Sequence, residues 1–131
     1  MKNVILMFNL IWIFVSGCSK EAGVGGDAEI KGQVWKYQLN GSLTDTIADY
    51  AAEDVYVYIV YGDNSGFDKR VKTDYNGNFR FPFLYEGKYT LYTYTFDPYA
   101  IEGQSPVIRE ITIQDRKQIV EMERMNILAE P

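Results

Sequence analysis

The sequence predicts an all-β protein, an antiparallel β-sandwich of about seven strands. Three observations predict it. Residues 55–61 and 88–96 are runs of β-branched and aromatic side chains, which pack well on a pleated surface. Short apolar stretches recur between clusters of Gly, Asn, Asp and Ser, the spacing of strands and turns in a sandwich. From residue 18 onward no long stretch repeats its apolar residues at helical spacing.

Taken in order, the domain opens near Ala28. Ile30, Gly32 and Val34 alternate with Lys31 and Gln33, a period of two that marks the first strand, and Trp35 and Tyr37 extend it. Asn40-Gly41-Ser42 is a turn signal. Residues 45–54 are mixed and acidic; they could hold a helical turn around Ala48 to Ala52, but a loop is the preferred reading. Residues 55–61 form the strongest strand, with Val55, Val57 and Ile59 on one face and Tyr56, Tyr58 and Val60 on the other. Residues 62–66 break that run. A strand follows over 69–73, and Asn76-Gly77 supplies the positive φ of a tight hairpin. Phe79, Phe81 and Phe83 alternate after it. Glu86-Gly87 turns the chain into 88–96, with Tyr89 and Leu91 on one face and Tyr92 and Tyr94 on the other. Residues 97–106, with two prolines and Gly103, read as a loop. Val107, Arg109, Ile111 and Ile113 then share a side of the next strand. Residues 118–128 fit a helix through Ile119, Met122 and Met125, and a strand through Val120 and Met122 set against Glu121 and Glu123. The strand is preferred because the preceding elements need a last partner.

The N-terminal region has a different composition. Lys2 precedes an apolar run from Val4 to Val15, interrupted by Asn9. That length suits a cleaved signal peptide and is short for a membrane span, which needs about 20 apolar residues. Val15-Ser16-Gly17-Cys18 resembles the bacterial lipobox: an aliphatic residue, two small ones, then cysteine. The resemblance implies a lipoprotein signal peptide over residues 1–17 and a lipidated Cys18. That cysteine would carry a diacylglycerol thioether and an N-acyl chain such as palmitate. Ser19 in place of aspartate after the cysteine favours the outer membrane or cell surface. Residues 18–28, with Gly23, Gly25 and Gly26, read as a flexible tether, and residues 29–131 as the β-sandwich domain.

Composition excludes several chemistries. The chain has no histidine, and Cys18 is its single cysteine. Zinc sites built of Cys and His, Ser-His-Asp triads and Cys-His pairs are therefore impossible, and no disulfide can form within the chain. The net charge is −5, and every acidic residue follows the signal segment. An acidic domain does not suit nucleic acid, whose phosphates demand a basic face. No cofactor or metal is expected, and the chain is expected not to be an enzyme.

Three pieces of the domain line up with one family. They are Ile30-Lys31-Gly32-Gln33-Val34, residues 55–59, and Thr73-Asp74-Tyr75-Asn76-Gly77-Asn78-Phe79-Arg80-Phe81 followed by Leu84-Tyr85-Glu86-Gly87-Lys88-Tyr89-Thr90-Leu91. In this order they resemble the carboxypeptidase regulatory-like domains over about residues 30–96. The chain departs from the pattern at Glu86, where proline is usual, and in its frequent tyrosines. The resemblance implies an Ig-like, transthyretin-like sandwich and an accessory role toward another protein.

Candidate sites follow from side-chain type. Tyr56, Tyr58, Tyr92 and Tyr94 form a cross-strand patch if the two strongest strands share a sheet. Such a patch could stack on sugar rings or peptide side chains, or be a half-buried ladder that only packs the sheet. Asp74, Asn76 and Asn78 with Gly77 suggest a calcium loop, but the closing bidentate glutamate is missing. A turn whose Asp and Asn bond the backbone is the preferred reading. Asp97, Tyr99 and Glu102 read as a solvated loop, and Glu53 and Asp54 as a strand boundary. The expectation is a lipid-anchored, non-catalytic binding or structural accessory module. It would be tied to the membrane through Cys18, with an envelope protein or a glycan as partner. A carboxylate-dependent glycan-active enzyme and a carrier of a small apolar ligand are the alternatives.

Overall fold

The longest strand begins inside the stretch that composition marks as a spacer. A computed structural model describes residues 21–131, so residues 1–17, expected to be a signal peptide, and Cys18 lie outside the described residues. Strand β1 runs Val24–Leu39. Its glycines serve close approach rather than flexibility. A methyl group at Gly26 would collide with the Leu84 carbonyl, and one at Gly25 with the Tyr85 ring. The backbone of residues 23–28 lies against the end of another strand, and only glycine leaves room. Ala28 is fully buried, and Ala22 packs against the core.

The remaining strands are β2 (Thr46–Ala51), β3 (Tyr56–Tyr61), β4 (Lys69–Lys72), β5 (Asn78–Leu84), β6 (Gly87–Phe96), β7 (Gln104–Ile113), β8 (Ile119–Glu121) and β9 (Met125–Ala129). None of the described residues is helical. The described residues are thus all-β, with nine strands in two sheets where about seven were expected. β1 is the hub of the five-stranded sheet. Its first half pairs antiparallel with β5 and parallel with β8, and its second half antiparallel with β2 and parallel with β9. The second sheet is fully antiparallel, in the order β4-β3-β6-β7.

Several expectations are corrected here. The acidic stretch around residues 45–54 contains β2, which is almost wholly exposed and held through its pairing with β1. It has no buried face, so no apolar period announces it. β7 begins at Gln104 and takes Pro106 into an edge strand, where a missing N–H costs no ladder bond. The C-terminal strands are strands, as preferred, but both run parallel to β1, so the sandwich is not purely antiparallel. Asn76-Gly77 turns the chain without closing a hairpin, because β4 belongs to one sheet and β5 to the other. Phe79 and Phe81 are buried, whereas Phe83 takes φ 60° and points to solvent, 66% exposed. That left-handed residue shifts the alternation by one and sends Leu84 into the core instead.

The core lies between the sheets. Ile30, Val34, Phe79, Phe81, Leu84, Met125 and Ile127 meet Val57, Ile59, Tyr89, Leu91 and Ile113. Tyr89 brings a phenol hydroxyl into this core. Its hydroxyl accepts the Gly23 N–H at 2.9 Å and donates to the Tyr85 carbonyl at 2.6 Å. A buried phenol is satisfied in this way, and the start of β1 is fastened to β6.

Candidate functional site: a half-exposed tyrosine face and the cleft beside it

Register decides what the outer face of the four-stranded sheet presents. Val57 and Ile59 of β3 and Tyr89 and Leu91 of β6 point inward, so the alternating residues point out. Pairing sets Tyr58 directly opposite Tyr92. Their rings lie 4.9 Å apart and 10° from parallel. At that separation two nearly parallel rings must overlap as an offset stack. Tyr94 stands nearly perpendicular to both, 5.9 Å from each. Tyr56 lies 6.3 Å from Tyr58. The four tyrosines singled out in the sequence therefore come together on one surface.

The structure adds residues that the sequence did not mark. Phe67 packs against Tyr58 at 4.9 Å and is half exposed. Its place follows from Asp68, whose carboxylate accepts the Tyr61 N–H at 2.7 Å and the Asn64 amide. The Asp68 N–H donates to the Ile59 carbonyl, so the 62–68 loop folds back on β3. Across the sheet, Ile108 of β7 sits opposite Tyr92 and is also half exposed. Arg70 lies over the Tyr56 ring at 4.1 Å, with Lys72 at 5.2 Å on the same ring.

The face is apolar in area and polar at its tips. Burial among the rings raises the Tyr92 phenol above its ordinary value of 10.0, and Tyr94 and Tyr58 push it further. Tyr92 therefore remains a protonated hydrogen-bond donor at neutral pH.

Beside this face opens a cleft of about 740 Å³, bordered by β1, β5, β4 and residues 121–124. Phe79 and Met122 give it apolar walls, and Lys31, Lys72, Arg80 and Arg124 bring cations to it. Lys72 belongs to both the cleft and the tyrosine face. A second cleft, about 430 Å³, opens near Lys36, Tyr50, Tyr94 and Ile127.

The other candidates have local roles. One Asp74 carboxylate oxygen accepts the N–H groups of Asn76 and Asn78, each at 2.9 Å, and so shapes the turn at Gly77. Asp97 does the same for the Tyr99 N–H, while the Tyr99 side chain stands almost fully in solvent. Glu53 and Asp54 are exposed ahead of β3.

The chain matches no protein-family model and no curated protein sequence. Among solved structures it is similar to the "putative carbohydrate binding protein" of Pseudomonas aeruginosa. That match has 14% identity over 82% of this chain and 92% of that one, with a TM-score of 0.49.

Proposed function

We propose that this chain is a non-catalytic binding module, held outside the cytoplasm by lipid on Cys18, whose tyrosine face contacts a glycan. The observation that carries the ligand reading is the cluster of Tyr56, Tyr58, Tyr92, Tyr94 and Phe67 on a face the core does not need. Tyr94, Phe67 and Ile108 are exposed and Tyr56, Tyr58 and Tyr92 half-buried, and a contiguous apolar patch open to solvent often marks an interaction site. A sugar offers that surface both things it can use: C–H patches for the rings and hydroxyls for the phenols. Among the described residues, no carboxylate pair stands on the face to work as acid and base. The lipid anchor rests on the order of charge, apolar run, small residues and cysteine at residues 2–18. Two or three acyl chains, at about 0.8 kcal/mol per buried methylene, would hold the domain without help from its surface.

Retention on a glycan array tests the face. Wild type should be retained, and the Tyr58→Ala/Tyr92→Ala double variant should lose retention while still unfolding cooperatively. Equal retention of both proteins overturns the reading. For the anchor, Cys18→Ser should release the protein from the membrane fraction and abolish the mass added by lipid. A variant that stays in that fraction overturns the lipid reading.

A further inference from the structure

We propose that the cleft beside the tyrosine face binds the anionic group of an acidic polysaccharide, a sugar carboxylate or sulfate. The proposal rests on the glycan reading of the tyrosine face and adds charge to it. The chain is acidic overall, at −5, yet this cleft gathers four cations against two carboxylates, Asp74 and Glu121. Two of the cations are already committed. Lys31 pairs with Glu121 at 3.1 Å, and Arg80 with Glu29 at 2.7 Å.

The other two rest on aromatic rings. Lys72 Nζ lies 5.2 Å from the centre of Tyr56. The Arg124 guanidinium lies 4.7 Å from the Trp35 ring, and one of its nitrogens donates to the Tyr37 hydroxyl at 3.3 Å. Neither has a carboxylate within 4.0 Å among the described residues. A ring under a cation attracts its charge without consuming its N–H donors. It also holds a long side chain in one place, which lowers the ordering cost of a later contact. An incoming carboxylate or sulfate would therefore meet prepositioned donors. Asp74 opposes an anion, with one of its oxygens held by the turn N–H groups of Asn76 and Asn78, so the four cations of the cleft outnumber its two carboxylates. Lys72 is shared by the cleft and the tyrosine face, whereas Arg124 reaches the cleft from Trp35 and Tyr37 on the outer side of the five-stranded sheet.

The test compares three soluble polymers on the intact protein: polygalacturonate, dextran sulfate and unmodified dextran. At low salt an acidic polymer should bind about tenfold more tightly than dextran, an advantage that high salt should remove. Arg124→Gln should cut that advantage by about threefold with dextran binding unchanged. Glu121→Gln removes a competing carboxylate and should raise it by about twofold. Stronger binding of polygalacturonate assigns the anion as a carboxylate, and stronger binding of dextran sulfate assigns it as a sulfate.

An acidic advantage that Arg124→Gln leaves intact overturns the proposal. So does equal binding of acidic and neutral polymers, and in that case dextran binding lost in Tyr58→Ala/Tyr92→Ala keeps the tyrosine face as a glycan site. Acidic binding that falls in Arg124→Gln but survives the tyrosine variant supports the cleft and overturns the face. Absence of binding to all three polymers overturns both.

Discussion

The two sheets share a core but differ on their outer faces. The five-stranded sheet carries ion pairs on its outside, Lys31 with Glu121 and Arg80 with Glu29, beside Trp35 and Tyr37 that Arg124 covers. The four-stranded sheet covers its outside with rings, Tyr58 stacked on Tyr92 and flanked by Tyr94, Tyr56 and Phe67. Exposed ion pairs contribute little to stability, typically below about 1 kcal/mol each, and they keep a surface soluble. Exposed rings add some packing but invite association. The core demands neither arrangement. The difference teaches that the inner faces are fixed by the core, while the outer faces are free to differ.

That contrast is sharpest between inward and outward side chains of neighbouring strands. Phe81→Ala, on the inner face, should cost about 3–5 kcal/mol in denaturant unfolding. Tyr92→Ala, on the outer face, should cost about 1 kcal/mol, mostly its stack on Tyr58. A loss at Tyr92 as large as at Phe81 would make the ring cluster part of the fold and weaken its reading as a free surface.

A second contrast sets the start of β1 against a true tether. Gly26→Ala should destabilise by about 1–3 kcal/mol, because the new methyl meets the Leu84 carbonyl. A flexible spacer would tolerate the same change without loss of melting temperature.

Tyr89→Phe removes the acceptor of the Gly23 N–H and should cost about 1–3 kcal/mol. Hydrogen exchange at Gly23 should accelerate more than exchange in β3. Uniform acceleration across both sheets would mean that Tyr89 supports the whole core and not the entry of β1.

The smallest effect concerns pH. Burial raises the phenols of Tyr61, Tyr89 and Tyr92 above 10.0, with Asp68 adding to the shift at Tyr61. Below that pH both the folded and unfolded phenols are protonated, and stability is unaffected. As pH climbs through 10.0 the unfolded chain releases its protons first, so stability falls. Melting temperature followed from about pH 8 to about pH 11 should decline at the alkaline end, and Tyr92→Phe should flatten part of that decline. A flat profile in wild type would mean that burial does not hold these phenols protonated.

Much of the strand pattern was legible because it is local. Alternation in β3 and β6 revealed both faces, and hence the four tyrosines that gather on one of them. The elements that escaped lack an alternating apolar signal. β2 is exposed on both faces, and the start of β1 hides behind glycines, of which Gly25 and Gly26 serve contact with Tyr85 and Leu84. The exposure of Phe83 follows from one left-handed residue that no pattern of hydrophobicity records. Phe67 and Ile108 joined the face through a loop bond and a strand pairing. The cleft was invisible for a related reason: Lys31, Lys72 and Arg124 come from distant parts of the chain.

The amino-acid order by itself determined the all-β class, the inward and outward sides of the strong strands, and the absence of histidine-based and disulfide chemistry. Each of these depends on residue type or on the two-residue period of an extended chain. Tertiary structure decided which strands pair, that two of them run parallel to β1, and where cations and rings meet. Those outcomes depend on contacts between segments far apart along the chain, and a side chain's identity does not specify its distant neighbour.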